Sequence, residues 1–319
     1  MMRTRSGAAA IAALVLIHSP ALAQDTLRVS IAGRSAFENQ VSEVGQQQGF
    51  FKKHGLTLEV LYSHGGNQTL NAVAKGTADI GISVGTLEAL GAFHMGEPIR
   101  VIGGSIVGVS DFWYVPVNSP IKSLNQAAGK TVAFSKTGSP DNVLVLALQE
   151  LTGTKLKPVA TGDPAVTLAQ VMGGRVDIGY SVPPVAVAGL EQGKIRVVGR
   201  GNDIPAVAGQ TVRFIVANAD ALGKRPDAFR RYMQGYRDTV EWMFSADAQA
   251  VAAYAAWAGV SESVARRTRD DFMRRENMLP DRIAGLETIL ADGVTFKVVP
   301  APLGPDALKA LLQPQEPIR

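Results

Sequence analysis

Ser83 lies in a sequence pattern that positions a nucleophilic serine in many hydrolases. Residues 81–85 read Gly-Ile-Ser-Val-Gly, which fits G-x-S-x-G between a predicted strand and a predicted helix. A hydrolase of that type takes its general base from a histidine late in the chain. The only histidine after Ser83 is His94, which falls inside the next predicted helix. We therefore expect neither a catalytic serine nor an enzyme.

The serine belongs instead to an internal repeat. Residues 69–84 recur as residues 167–182 at a constant offset of 98, and nine of the sixteen positions are identical. Chance would give about one match. Each copy predicts a short amphipathic helix, a glycine and a brief buried strand that ends at a serine, Ser83 or Ser181. Because ligands of open α/β sheets bind at the carboxyl ends of strands, both serines are candidate binding residues. The alternative is that the two units are alike for packing only.

The elements around the repeat indicate an α/β protein with two similar lobes and mainly parallel sheets. Predicted strands cover residues 27–32, 56–61, 80–83, 131–134, 195–199 and 211–218. A first helix is predicted over residues 35–54, and Ser139-Pro140, Asp163-Pro164 and Pro184 predict further helix starts. From residue 226 onward the chain is predicted to be helical and to pack on the outside of the first lobe. We assign residues 24–114 and 212–319 to lobe 1 and residues 115–211 to lobe 2, with strands crossing between them.

The N-terminus and the composition limit where the protein acts and what it binds. Arg3 and Arg5, an apolar run over residues 8–17 and Ala21-Leu22-Ala23 predict a signal peptide over residues 1–23. Cysteine is absent, which excludes disulfides and a lipid-modified anchor, so we expect a soluble exported product.

Three other classes of site are disfavoured by the sequence. Outside the predicted signal peptide, three scattered histidines and no cysteine predict no metal site, and we expect no cofactor. Gly129-Lys130-Thr131 resembles the end of a phosphate loop, but a strand follows where a helix is needed. The formal charge is +4, and the basic run at residues 266–275 is interleaved with acids, so nucleic-acid binding is not expected.

Several motifs together resemble the periplasmic solute-binding proteins of nitrate, taurine and aliphatic sulfonate ABC transporters. They lie at residues 27–29, 49–56, 65–67, 76–81, 122–124 and 129–133. The resemblance implies a fold like that of type II periplasmic binding proteins: two lobes joined by crossing strands close on a ligand and deliver it to a permease in the inner membrane. We expect a monomer that binds a small anionic organic solute. Many members have a tryptophan near the proline after the second repeat, but this chain has Ser181-Val182-Pro183-Pro184, so the solute is left open among sulfonate, nitrate-like ion, carboxylate and pyrimidine. Relatives carry pyrimidine or thiamin precursors, and the same fold serves thiamin-pyrimidine synthases, which act inside the cell.

Candidate ligand-binding residues follow from strand ends and helix starts. Free N–H groups and positive dipole ends at helix starts favour an anion. Arg34 is the best candidate for a counter-charge, with a solvated loop arginine as the alternative, and Lys136 is a second candidate. The remaining candidates are polar or apolar residues of the cleft lining: Ser35, Phe37, Gly66, Asn67, Ser83, Thr86, Thr137, Ser139, Asp141, Ser181 and Pro183.

Overall fold

A computed structural model of the 319-residue chain describes residues 25–34, 36–137 and 139–315. The predicted signal peptide, residues 1–23, and the candidate Ser35 lie outside the described residues. No helix within these three ranges combines the length and apolar character needed to cross a bilayer.

The described residues form ten strands in two similar groups. The strands are β1 (Asp25–Ile31), β2 (Leu56–Tyr62), β3 (Ile80–Gly85), β4 (Ile99–Val107), β5 (Phe112–Pro116), β6 (Thr131–Phe134), β7 (Lys157–Ala160), β8 (Gly179–Ser181), β9 (Ile195–Arg200) and β10 (Thr211–Asn218). The first sheet has the order β2-β1-β3-β10-β4. Strands β2 and β3 run parallel to β1, and β10 runs antiparallel to both of its neighbours. Four of the five strands therefore point the same way.

The second group repeats this order. Strands β8-β5-β9 form one ladder and β6-β7 another, and a parallel bridge from Val132 to Ile178 connects β6 to the segment just before β8. The combined order is β7-β6-β8-β5-β9, in which β5 is the antiparallel strand. The prediction of two similar, mainly parallel sheets is confirmed.

Each sheet contains one antiparallel strand. In the chain, that strand follows a short segment, here called a crossing, that leads over from the other sheet. Strand β4 ends at Val107 and β5 begins at Phe112, while β9 ends at Arg200 and β10 begins at Thr211. Because β5 pairs with β8 and β9, residues 112–114, assigned to lobe 1 from the sequence, lie in the second sheet. The aromatic run there is fully buried in the second core, which explains why it pairs on that side.

The helices cover both sheets. They are α1 (Val41–Gln47), α2 (Phe50–Lys53), α3 (Gly66–Ala74), α4 (Thr86–His94), α5 (Pro140–Thr152), α6 (Pro164–Met172), α7 (Val187–Glu191), α8 (Pro205–Ala208), α9 (Ala219–Lys224), α10 (Pro226–Met243), α11 (Ala248–Ala258), α12 (Glu262–Phe272), α13 (Arg275–Met278), α14 (Leu286–Thr295) and α15 (Pro305–Leu311). Helices α10, α11 and α12 contribute to the core of the first sheet, as predicted, and Phe272 also reaches the core of the second.

The first helix differs from its prediction. Residues 35–54 contain a 3₁₀ turn, Phe37–Gln40, followed by α1 and α2, with a break at Gly49. Gly49 adopts φ 82°, a left-handed conformation that ends α1 and that glycine takes without steric cost.

The repeat forms the same polar framework in both sheets. Asp79 accepts a hydrogen bond from the backbone N–H of Arg28 in β1, at 2.8 Å, and Asp177 accepts one from Thr131 in β6, at 2.9 Å. Thr69 and Thr167 are both fully buried and form equivalent hydroxyl pairs with Ser63 (2.5 Å) and Thr161 (2.6 Å). These bonds tie helix, loop and strands together, so the shared threonine and the shared aspartate have a structural role.

Candidate functional site

The two repeated serines make internal hydrogen bonds. Ser83 is buried, and its hydroxyl donates to the side-chain oxygen of Asn39 at 2.5 Å. An amide oxygen is a poor proton acceptor compared with a histidine, so this contact does not activate the serine as a nucleophile. Ser181 is buried as well, and its hydroxyl donates to the carbonyl of Val185 at 2.8 Å. The serines are therefore alike in position and different in their partners.

Glu88 lies at the two helix starts of the first sheet. Helix α4 begins at Thr86, which is buried, and the N–H of Gly85 donates to the Glu88 carboxylate at 3.1 Å. The same carboxylate lies against Gly66, the first residue of α3, where a Cβ atom would come within 2.5 Å of it. Gly66 thus permits this close approach. Asn67, the second residue of α3, is exposed. A carboxylate of the protein thereby occupies the position that we predicted for an anion.

Arg34 lies at the carboxyl end of β1 in a cluster of charged and aromatic groups. Its guanidinium binds both oxygens of Glu43, at 2.9 and 2.7 Å, and lies 4.2 Å from the centre of the Tyr62 ring. Trp257 donates from its indole N–H to Glu43 at 3.0 Å. Burial tends to raise the pKa of Glu43, but hydrogen bonds from Tyr62, Arg34 and Trp257 outweigh it and hold that pKa below its ordinary value. Arg34 is half exposed and already paired with a carboxylate.

Four candidates of the second lobe lie at the first turn of α5 or just before it. Ser139 caps α5 by accepting from the N–H of Asn142 at 3.3 Å, and Pro140 follows at the first helical position, as predicted. Asp141 is buried and accepts hydrogen bonds from the backbone and the hydroxyl of Ser135. Lys136 and Thr137 are exposed.

Two apolar candidates are buried, and one predicted helix start is wrong. Phe37 packs in the first core with its ring 4.5 Å from that of Tyr254. Pro183 is buried beside Ser181. Helix α7 begins at Val187 rather than at Pro184, because Ala186 adopts a left-handed conformation immediately before it.

A cluster of charged groups lies where the two sheets meet, and of its four members only Asp141 was among the predicted candidates. We call Glu38, Asp111, Asp141 and Arg213 the junction cluster. Arg213 aligns with Gly85 at the carboxyl end of β3, and its Nε atom is 3.6 Å from the buried Glu38 carboxylate. Asp111 lies in the crossing just before β5, whose first residue pairs with Ser181.

The charges of the other three groups act on the Asp111 carboxyl. Burial raises the pKa of the Asp111 carboxyl to about 6; the charge of Arg213 opposes the rise, and those of Asp141 and Glu38 add to it. The four groups come from the first crossing (Asp111), the start of β10 (Arg213), the 3₁₀ turn before α1 (Glu38) and the first turn of α5 (Asp141). One signal was present in the sequence: Arg213 is a lone charge inside an otherwise apolar predicted strand, and Asp111 directly precedes an apolar run.

The described residues contain no group of three or more histidine, aspartate or glutamate side chains placed to hold a metal ion. The carboxylates of the junction cluster therefore share a region without forming a compact set of metal ligands.

Two sheets of the same strand order, each completed by a strand that crosses from the other, define a bilobal binding-protein fold. A family model described as NMT1/THI5 like matches residues 42–250, more than half of the chain. The chain belongs to this NMT1/THI5-like family.

Individual relatives agree with this assignment. A protein of Escherichia coli (strain K12) named for aliphatic sulfonate binding is 32% identical over 142 residues, which are 44% of this chain and 44% of that protein. The match thus spans less than half of the relative's length. The crystal structure of the periplasmic aliphatic sulphonate binding protein SsuA from Escherichia coli is similar, with a TM-score of 0.71 and 21% identity over 92% of this chain and 94% of that one. The desulfurization enzyme DSZB is similar too, with a TM-score of 0.63 and 18% identity over 91% and 97% of the two chains. At these identities the structures show a shared fold.

Proposed function

We propose that the protein is the exported solute-binding component of an ABC importer and that it captures a small anionic organic solute between its lobes. The observation that supports this most directly is the repeated sheet order with two crossings, which gives two bodies of similar construction. Because ligands of open α/β sheets bind outside the carboxyl ends of the strands, we place the solute between those ends. Membership of the NMT1/THI5-like family and the name of the Escherichia coli relative support a sulfonate-like ligand.

In this proposal the lobes move as units and the chain acts as a soluble monomer in the periplasm. The signal peptide of residues 1–23 is cleaved, the crossings at residues 108–111 and 201–210 act as hinges, and the closed form delivers solute to a permease in the inner membrane. The same fold in DSZB carries an enzyme, but Ser83 bonds an amide rather than a base, which favours transport over catalysis.

The anionic end of the solute would be held by polar groups at the strand ends. The first turn of α5, capped by Ser139, offers N–H groups and the positive end of a helix of 13 residues. Arg34 supplies a charge that can turn from Glu43 to the ligand, since it is half exposed. Ser83 lies in the second half of β3, Thr86 directly follows that strand as the first residue of α4, and Ser181 ends β8.

A thermal-shift screen over sulfonates, nitrate-like ions, carboxylates and pyrimidines tests the proposal. A ligand present at a hundredfold excess over its Kd stabilises the folded protein by about 2.7 kcal/mol, which gives a clear upward shift. A flat response in all four classes contradicts the solute-binding role.

Arg34→Ala examines the anion site within the same assay. We expect weaker binding of the best anion, by about tenfold or more, because a charge-assisted hydrogen bond contributes about 1.5–3 kcal/mol. Arg230→Ala is the matched control: Arg230 has nearly the same side-chain exposure, 48% against 49%, and also pairs with a carboxylate, but it lies on α10. Equal affinity of both variants and the parent protein would assign Arg34 to the solvated surface.

A further inference from the structure

One end of the second sheet carries an excess of positive charge. Strands β6, β7, β8 and β9 begin there and β5 ends there, so it is opposite to the carboxyl ends between which we place the solute. Residues 117–131, 150–157, 172–178 and 190–196 form this end, and they contain seven basic and three acidic residues. Their excess equals the formal charge of the whole chain, +4, so the rest of the chain balances to zero. We call the six exposed basic residues the basic end: Lys122, Lys130, Lys155, Lys157, Arg175 and Lys194.

Hydrogen bonds and an ion pair bring the first three segments together. The N–H of Gly129 donates to the carbonyl of Lys155, and the N–H of Lys157 donates to the carbonyl of Lys130, both at 2.8 Å. The Nζ atom of Lys130 lies 3.3 Å from the carboxylate of Asp177, which belongs to the third segment. Three lysines of the basic end are therefore neighbours on one surface.

The fourth segment adjoins the same surface through β5 and β9. The N–H of Val117 donates to the carbonyl of Lys194 at 2.9 Å, where β5 has ended and β9 is about to begin. The half-buried Arg196 donates to the carbonyl of Ile121, next to Lys122, so this arginine supports the loop that carries Lys122. Since β8 lies between β6 and β5, all four segments border one edge of a single sheet.

The charge of the basic end is largely uncompensated within the protein. Among the described residues, Lys130 is the one member that pairs with a carboxylate, and its partner is Asp177. The other two acids of these segments, Glu150 and Glu191, are exposed. Exposed cations that lie within about 10 Å of one another reinforce each other's field at moderate salt. The basic end therefore attracts an anionic partner.

Exposed apolar side chains accompany these charges. Val117, Leu151 and Met172 are 51%, 52% and 50% exposed. Val117 directly follows β5, Leu151 lies in the last turn of α5, and Met172 is the last residue of α6. Because α5 and α6 end shortly before β7 and β8 begin, all three apolar side chains lie at the same end of the sheet as the lysines.

This combination fits a phospholipid surface better than a protein or a nucleic acid. Basic side chains that approach anionic headgroups and aliphatic side chains that reach the acyl boundary are the contacts that hold peripheral proteins on bilayers. Protein interfaces, in contrast, are enriched in aromatic residues and arginine and depleted in lysine, and single-stranded nucleic acids stack on aromatic rings. The four segments contain five lysines and no phenylalanine, tyrosine or tryptophan.

We propose that the basic end docks on a bilayer surface rich in anionic phospholipid headgroups. The lysines bind the headgroup phosphates, and Val117, Leu151 and Met172 lie at the boundary between headgroups and acyl chains. The carboxyl ends of the strands point away from the bilayer in this orientation, so docking leaves them free. The inference goes beyond the proposed function, since it concerns the opposite end of the lobe and requires no solute.

Flotation with lipid vesicles tests the docking surface on the protein without residues 1–23. We expect the protein to float with vesicles of equal parts phosphatidylglycerol and phosphatidylcholine and to stay behind with vesicles of phosphatidylcholine alone. Raising the salt to about 1 M, where the Debye length is about 3 Å, should release it. Leu151→Ser should weaken binding severalfold and preserve this salt dependence, because it removes an apolar contact and no charge.

Two triple variants with the same loss of charge locate the surface. The test variant changes three exposed lysines of the basic end: Lys155→Gln, Lys157→Gln and Lys194→Gln. The control changes three exposed lysines of the first lobe: Lys52→Gln, Lys75→Gln and Lys224→Gln. Each lysine near an anionic surface strengthens binding about fivefold, so the test variant should bind vesicles about a hundredfold more weakly and the control within about twofold of the parent protein.

The outcomes distinguish this inference from the proposed function. Equal weakening by the two triple variants, equal binding to both kinds of vesicle, or no flotation at all overturns the docking surface. Retention on immobilised polyglutamate without any flotation also overturns it and assigns the basic end to an acidic protein partner. None of these results bears on solute capture, because the vesicle assay contains no solute. A silent solute screen would likewise leave a positive vesicle result standing.

Discussion

The two aspartates of the repeat allow a prediction in which a variant at one of them is the control for a variant at the other. Asp79 and Asp177 occupy the same place in the two copies and both accept a backbone N–H from the first strand of their sheet. Their surroundings differ. The Asp79 side chain is 3% exposed and pairs with Arg28 at 3.0 Å and with Arg225 at 2.8 Å, whereas that of Asp177 is 36% exposed and pairs with Lys130 at 3.3 Å.

We expect Asp79→Ala to lower the free energy of unfolding far more than Asp177→Ala. Removing Asp79 leaves a strand N–H without its acceptor and two arginines without their buried partner, a change that costs about 3–5 kcal/mol. Removing Asp177 breaks an exposed ion pair of about 0–1 kcal/mol and two hydrogen bonds to Thr131, for a total of about 1–3 kcal/mol. The reasoning therefore requires a difference of roughly 2 kcal/mol between the two variants.

Urea unfolding at pH 7, followed by tryptophan fluorescence, measures both variants against the parent protein. Asp79→Asn refines the comparison, because an amide oxygen can still accept from Arg28 but no longer balances the two arginines. Burial tends to raise the pKa of Asp79, and bonds from Arg28 with the charge of Arg225 overcome this and hold the pKa below its ordinary value. The ionised form is thus the stabilising one, so its contribution is present above the ordinary carboxyl pKa and is lost as the pH falls through the lowered value. Equal losses in the two alanine variants, or a larger loss for Asp177→Ala, would refute the argument from burial.

Two further predictions concern the junction between the lobes. Small-angle scattering should show a more compact protein when a ligand that has been confirmed to bind is present, and an unchanged profile would mean that the site lies within one lobe or in a cleft already closed. The pKa of Asp111, raised to about 6, means that the folded state holds the proton more tightly than the unfolded state, so this residue lowers the free energy of unfolding as the pH rises from about 4 to 6. The free energy of unfolding falls by about 3 kcal/mol at most, at about 1.4 kcal/mol per pKa unit. The difference in free energy of unfolding between the parent protein and Asp111→Asn, followed across that pH range, measures this loss. A difference that stays constant with pH would contradict the raised pKa.

The parts of the fold that follow local rules were predictable from the sequence. The repeat, the strand at residues 131–134 and the capped starts of α5 and α6 depend on neighbouring residues, and they agree with the structure. The break in the first helix at Gly49 was harder to predict from the sequence. The residues on both sides have helical patterns, and the left-handed conformation of Gly49 separates them. Strand β7 was missed since it has only four residues, most of them exposed, and so lacks an apolar pattern.

The candidate site was predictable only in part, for a different reason. Ser139 could be assigned because a cap is a local feature. Arg34 has its strand-end position as expected, but its pairing with Glu43 depends on how α1 returns over the sheet. Glu88 and the junction cluster depend on contacts between segments far apart in the chain, and no spacing rule links Glu38 to Arg213 or Asp111 to Asp141.

The position of the junction cluster connects charge to motion. Asp111 lies within one crossing, and Arg213 lies just after the other, at the start of β10. The distances from these two groups to Asp141 on α5 and to Glu38 before α1 therefore change whenever the lobes rotate about the crossings. A ligand can shift the balance between open and closed forms only through contacts that differ between them. In the proposed function, a ligand held between the lobes makes such contacts, because groups of both lobes reach it together only in the closed form.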